Sequence, residues 1–189
     1  LHSLRRRQRQ MCIRDSQRNA LRHWLAAFTQ LPDTDHWAGW NALRDAREDA
    51  QPVWKLAKGE LHRAGGRIWW LSGDWLCPHP APGVWAQPDQ ALVLPGNGQV
   101  RFVGGIADGP LQVSYRQGGE VMALEQRGHR DLKRLFNERG IPLFARGRLP
   151  LLYRNEQLLA VANLNGLDSS PCGRWQLQWL PTSSDQGLS

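Results

Sequence analysis

The chain has 189 residues, 41% of them hydrophobic, and a formal net charge of +7. That length allows one domain or two small ones, and no apolar run approaches the roughly 20 residues that span a bilayer. The cysteines show no CxxC and no neighbouring histidine pair, so neither a zinc site nor a disulfide framework is supported; Cys77 and Cys172 read as buried or incidental thiols of a cytoplasmic protein.

Residues 6–16, RRQRQMCIRDS, read as the translation of a transposase adapter used in sequencing libraries. Residues 1–16 are therefore set aside as an artefact and expected to be disordered. Residues 18–29 then place Leu21, Trp24, Leu25 and Phe28 at i, i+3, i+4 and i+7, the apolar face of a helix. The stretch LPDTD ends it and supplies capping residues for a second helix over about 36–49, with Trp37, Trp40 and Leu43 on one side. That helix closes in the charged run RDARED, and Pro52 stops it. VWKLA and ELHRAGGRIWWLS predict strands, with Gly65-Gly66 turning a hairpin. Residues 17–76 thus read as a small helix-helix-hairpin domain.

Four prolines in CPHPAPGVWAQPDQ, 77–90, mark a linker. The pattern is β-rich from 91 to 181. ALVLPGNGQVRFVGG predicts two strands around Gly96-Asn97-Gly98, and LQVSYRQGGEVMAL a second pair around Gly118-Gly119. One main helix follows over 129–139, then a hairpin in LPLLYRNEQLLAVAN turning at Arg154-Asn155-Glu156, then a strand alternating Trp175, Leu177 and Trp179. Residues 182–189 form a loose tail. The fold class is α+β: a helix-helix-hairpin domain followed by a β-rich domain with one main helix.

Charge singles out one segment. From 17 onward the chain holds 19 basic and 16 acidic residues; eight of the basic and two of the acidic ones lie within 127–154, which carries +6 while the rest sums to −3. One basic segment in a mildly acidic chain is the footprint of a polyanion partner. On the predicted helix, Leu132, Leu135 and Phe136 share one face and Arg130, Lys133, Arg134 and Asn137 the other, with Gly140 and Pro142 ending it. Cations at a helix start oppose the macrodipole unless an anion visits. Arg146 and Arg148, before Pro150, extend the strip. The five candidate contacts to a nucleic-acid backbone are Arg130, Lys133, Arg134, Arg146 and Arg148; the competing reading is a solvated basic face.

Trp24, Trp37, Trp40, Trp54, Trp69 and Trp70 crowd the first domain, where they are expected to pack the core, one of the adjacent pair Trp69 and Trp70 facing outward. No GxSxG, Walker loop or HExxH occurs. The pairs Asp33/Asp35 and Glu48/Asp49 have ordinary explanations in capping and helix solubility, and His23, His36, His62, His79 and His129 form no metal spacing. No catalytic, cofactor-binding or metal-binding residue is assigned.

The stretch from LQVSYRQGGE to LLAVANL resembles the C-terminal domain of the bacterial tRNA(Ile)-lysidine synthetase (TilS) family. The family's GGE-like turn, basic LKK-type helix, G-[IV]-P turn and R-x-R-x-P-L segment match Gly118-Gly119-Glu120, Arg130 with Leu132-Lys133-Arg134, Gly140-Ile141-Pro142, and Arg146 to Leu151. Upstream, LRHWLAAFTQLPD and AREDAQPVWKLAKGELHRAGGRIWWL are similar to the family's middle, substrate-binding domain. The resemblance implies a domain of each kind over 17–76 and 91–181, and a truncated reading frame, since the family's ATP-pyrophosphatase domain with its SGGxDS loop is not in this sequence. It implies that the whole enzyme, a ligase, uses ATP, Mg²⁺ and lysine to convert the wobble cytidine of an isoleucine tRNA with a CAU anticodon to lysidine. It further implies that the C-terminal domain grips the tRNA acceptor region. Gly147 stands where the family often has an acidic residue, and Leu143-Phe144 replaces its common Pro-Trp. A protein-interaction or dimerisation module meeting an acidic partner is the alternative, and a homodimer is left open; no membrane partner is expected.

Overall fold

The structure, a computed structural model, describes residues 16–33, 35–47, 50–78, 81–124, 128–170 and 172–182. The set-aside segment through 15 and the tail from 183 lie outside the described residues. The chain divides into two compact units, one ending at Leu76 and one beginning at Cys77. Among the described residues, no helix is long and apolar enough to cross a membrane.

In the first unit, helix α1 runs over 16–25. It closes with Phe28 and Thr29 donating to the Leu25 carbonyl, so the expected helix to 29 is a helix plus a turn. Asp33 caps the next segment, accepting from the His36 backbone N–H at 3.2 Å. A 3-10 turn, Asp35–Trp37, leads into α2, Ala38–Asp45. The expected helix to 49 stops short because Arg63 takes its final carbonyls. That guanidinium donates to Leu43, Arg44 and Ala46 oxygens at 3.3, 2.6 and 2.9 Å, a cation at the end where the dipole favours one. Glu48 and Asp49 lie outside the described residues.

Strands β1 (Val53–Leu56), β2 (Gly59–Ala64) and β3 (Arg67–Leu71) form an antiparallel meander, with Gly65 and Gly66 turning the second hairpin at φ +58° and +70°. Leu21, Leu25, Trp37, Trp40, Leu43, Trp54 and Leu61 make the core, flanked by Leu56, Ile68 and Trp70. Four of the six tryptophans therefore pack inward. Trp69 is 37% exposed, as alternation along a strand requires of one of the adjacent pair. Trp24 departs from the core assignment and lies exposed, its ring set edge-on to Phe28 at 5.1 Å.

The second unit contains β4 (Gly83–Trp85), β5 (Leu92–Val93), β6 (Gln99–Gly104), β7 (Leu111–Ser114), β8 (Val121–Leu124), β9 (Gly128–Asp131), α3 (Leu132–Glu138), α4 (Leu143–Arg146), β10 (Leu151–Arg154), β11 (Gln157–Val161) and β12 (Trp175–Leu180). Three antiparallel sheets result, ordered β11-β10-β7-β4, β12-β6-β5 and β8-β9. With four short α-helices and many antiparallel strands among the described residues, the chain is α+β.

Three sequence expectations change here. The proline-rich stretch 77–90 is not all linker. Its Pro-free centre forms β4 at a sheet edge, the position that tolerates flanking prolines, and Trp85 is buried with its ring stacked 4.7 Å from Phe102. The strands flanking Gly118-Gly119 do not pair. Both edges of β7 are taken, by β10 and β4, so β8 pairs onward with β9 instead. Finally, the helix expected from 129 starts at Leu132. Residues 128–131 are strand, and Asp131 is an extended N-cap whose carboxylate accepts from the Arg134 N–H at 3.0 Å.

The hairpin at Asn155-Glu156 and the alternation of Trp175, Leu177 and Trp179 on the buried face of β12 match expectation. Cys77 and Cys172 are exposed rather than buried.

Candidate nucleic-acid interface

The basic segment folds as strand, helix, turn and strand, and each element gives its cations a different fate. Along α3, Leu132, Leu135 and Phe136 are buried, while Lys133, Arg134 and Asn137 are exposed on the opposite face, as the 3.6-residue period requires. Lys133 makes no ion pair or side-chain hydrogen bond among the described residues. Arg134 is paired along its own helix, its Nε 3.1 Å from Glu138 Oε1, with both side chains largely exposed. Such a pair is worth about 0.3–0.5 kcal/mol and can be exchanged for a phosphate at little cost. Asp131 already occupies the Arg134 backbone N–H, so no anion site is assigned to the start of this short helix.

Arg130 lies on β9 opposite Met122, not in the first helical turn, and is partly buried. Arg127 falls outside the described residues. Arg146 ends the single turn α4 and spends its Nε on the Ile141 carbonyl at 2.7 Å. Burial, with the neighbouring Arg116 charge adding to it, pushes the Arg146 guanidinium below its ordinary value. An anion arriving there would offset that lowering by favouring the charged form.

Arg148 does not belong to the strip. It is only 5% exposed. Its guanidinium donates to the Gly96 carbonyl at 2.9 Å, to Asn97 Oδ1 at 3.3 Å and to the Cys77 carbonyl. Asn97, itself buried, returns a bond to the Arg148 carbonyl at 2.8 Å, and the Trp179 indole donates to the Asn97 carbonyl at 2.7 Å. A buried cation must be satisfied internally, and this one is. The R-x-R spacing gave no sign that one arginine faces out and the next in.

Arg116 is the residue that sequence reasoning passed over. Its Nε lies 3.8 Å from Glu120 Oε2, and Glu120 Oε1 accepts from the Gln117 and Gly118 backbone N–H groups. Glu120 thus ties the glycine turn, with Arg116 beside it at ion-pair distance only, and the Arg116 charge is felt at Arg146. The i, i+4 spacing of Arg116 and Glu120 across Gly118-Gly119 was the available signal. Among the described residues, no group of three or more His, Cys, Asp or Glu side chains is placed to hold a metal ion.

Two family models match this chain. The TilS substrate binding domain covers residues 4–69, reaching back into the segment set aside above, and the TilS substrate C-terminal domain covers 111–179. The chain is 61% identical over 172 residues to a tRNA(Ile)-lysidine synthase of Pseudomonas fluorescens, and 58% identical over 173 residues to one of Pseudomonas aeruginosa. These alignments cover 91% and 92% of this chain but 39% of each relative, so the chain spans about two fifths of the curated relatives it matches. Among solved structures it is similar to a crystal structure of a TilS C-terminal domain, at 21% identity and a TM-score of 0.37, over 55% of this chain and 99% of that one. With both domains matched in order over most of its length, the chain belongs to the tRNA(Ile)-lysidine synthase family.

Proposed function

We propose that this chain is the tRNA-recognising portion of a tRNA(Ile)-lysidine synthase, and that its second unit binds the acceptor region of an isoleucine tRNA. The observation carrying the reading is the polar face of α3, where Lys133 stands exposed without an anionic partner among the described residues, above a fully buried apolar face. Arg134 and Arg130 flank it in sequence, and Arg146, with Arg116, offers a second cationic position. An acceptor stem is A-form RNA, whose shape, phosphates and 2′-hydroxyls are what such a surface can grip. A cytoplasmic location follows from that substrate.

The conversion of cytidine to lysidine with ATP, Mg²⁺ and lysine is the activity proposed for the whole protein. The residues described here do not fit that chemistry. No SGGxDS loop occurs in the sequence, and no group of three or more His, Cys, Asp or Glu side chains among the described residues is placed to hold a metal ion. No step through ATP is derived from this chain.

The test is a titration against isoleucine tRNA with the CAU anticodon, with an unrelated tRNA and a DNA duplex as controls. Lys133→Glu should weaken tRNA binding at least about tenfold with no change in melting temperature. Parental binding by that variant removes Lys133 from the interface. No binding by the folded parent at low salt overturns the reading for this chain in isolation.

A further inference from the structure

A second cationic site lies away from α3. A cavity of about 370 Å³ opens between the end of β6, the turn after β10 and the loop before β12. That volume is at the small end of small-molecule sites, which run from roughly 300 to 1,000 Å³. Arg154, Arg174 and one acidic residue, Asp108, line it, and neither arginine forms an ion pair among the described residues. Arg154 makes one long contact, 3.4 Å, to the Asp108 backbone carbonyl. Two guanidinium groups against one carboxylate leave the lining with a net positive charge, and a guanidinium fork matches a phosphate.

The remaining wall is built rather than incidental. Ser170, buried, accepts from the backbone N–H groups of Arg174 at 2.8 Å and Trp175 at 3.3 Å. The Ser170 hydroxyl oxygen thus fixes the backbone of the loop that carries Arg174 to the cavity. The Arg174 carbonyl accepts from Gly105 N–H at 2.8 Å, and a Cβ at Gly105 would sit 3.0 Å from that oxygen. The glycine therefore permits the approach that fixes the Arg174 backbone. Ile106 is 48% exposed at this site, and Trp175 is set edge-on against Phe102 at 5.3 Å. One side of the cavity presents the exposed apolar Ile106, while the other carries Arg154 and Arg174 with Asp108.

We propose that this cavity takes one nucleoside phosphate unit, its phosphate between Arg154 and Arg174 and its base against the exposed Ile106. The unit could be a free mononucleotide or an unpaired nucleotide of an RNA strand, and the two share the chemistry. The site does not depend on the α3 surface, so it can fail while tRNA binding through Lys133 holds, and the reverse.

The experiment is an amide and indole N–H titration of the full chain by NMR. The probes are AMP, adenosine, inorganic phosphate and a single-stranded trinucleotide, added separately. Saturable shifts confined to residues 105–108 and 170–175 are expected with AMP, the trinucleotide or both. Adenosine and phosphate should each be at least about tenfold weaker. Arg174→Glu, at an exposed position, should abolish the response, and Ile106→Glu should weaken it. Lys133→Glu should leave it unchanged. A response to the trinucleotide alone assigns the site to an RNA strand. An equal response to phosphate overturns the nucleoside assignment; no response to any nucleotide, or one that survives Arg174→Glu, overturns the site.

Discussion

Arg148 is where charge and burial conflict most sharply, and replacing it separates a structural arginine from an interface one. Its guanidinium satisfies the Gly96 carbonyl, the Asn97 amide oxygen and the Cys77 carbonyl from a buried position. Hydrogen bonds to a charged group contribute about 1.5–3 kcal/mol each and an orphaned buried acceptor costs about 1–3 kcal/mol, so losing two or three of these contacts costs about 3–5 kcal/mol. Arg148→Gln keeps polarity but loses the fork, so we expect a loss in that range. For a unit of about a hundred residues each kcal/mol lowers the melting temperature by about 4 °C or more, hence by about 12 °C at least. Urea unfolding followed by near-ultraviolet circular dichroism reads it directly, since Trp179 is tied to Asn97 in the same node. tRNA affinity, measured well below the melting transition, should stay close to parental. A variant that melts within about 2 °C of the parent but binds RNA poorly would show that Arg148 is an interface residue after all.

Three further outcomes follow from packing and titration. Gly39→Ala should destabilise the first unit although alanine is the better helix former: its Cβ would fall 2.2 Å from the buried Trp54 ring, and overpacking of about 1–3 kcal/mol exceeds a helix gain of up to about 1 kcal/mol. Thermal melting checks it. Arg63→Ala removes the cation that closes α2 and should cost about 1.5–3 kcal/mol in urea unfolding. Burial raises both Tyr115 and Tyr153, opposed at Tyr115 by the Asn97 bond and the Arg148 charge and reinforced at Tyr153 by Glu120. A raised folded value favours the protonated form. The stability it carries is present below the ordinary value near about 10 and is lost as pH rises through the folded values. Tyr115→Phe should flatten that loss in melting curves taken across the alkaline range, and an unchanged slope would contradict the assignment.

Period and punctuation made most elements legible. Helices α1 and α2, the Gly65-Gly66 hairpin, the Asn155-Glu156 hairpin and the last strand are local patterns, and local patterns survive folding. What sequence could not see was competition. The strands around Gly118-Gly119 looked like partners because nothing in their residues says that β10 and β4 already claim β7. The segment 129–131 looked helical because Arg130 fits the polar face, yet Asp131 is a strong N-cap and Met122 waits opposite Arg130 on β8. The candidate site divided along the same line. Lys133 and Arg134 fell on the exposed face their periodicity gave them, whereas Arg148 was lost to a partner 51 residues away in sequence, which no window contains.

The partners of each cation also bound the salt dependence. Of the eight basic residues in 127–154, Arg148 is buried in its own node. Arg139 donates to the Asn165 carbonyl, and Arg154 lines the separate cavity. Arg127 is outside the described residues. Lys133, Arg130, Arg134 and Arg146 are left, and the last two hold partners that a phosphate must share. With about 0.7–0.9 log units of affinity lost per log of salt for each neutralised phosphate, two to four contacts give a slope between about −1.5 and −3.5, against about −6 or steeper if all eight engaged. Titrations of the isoleucine tRNA at three or more salt concentrations measure that slope. A value near −6 would mean that Arg148 and its neighbours leave their internal partners on binding, and the division of this segment into structural and surface charge would then be wrong. A value within the shallow range that drops by about one contact in Lys133→Glu would establish that division residue by residue.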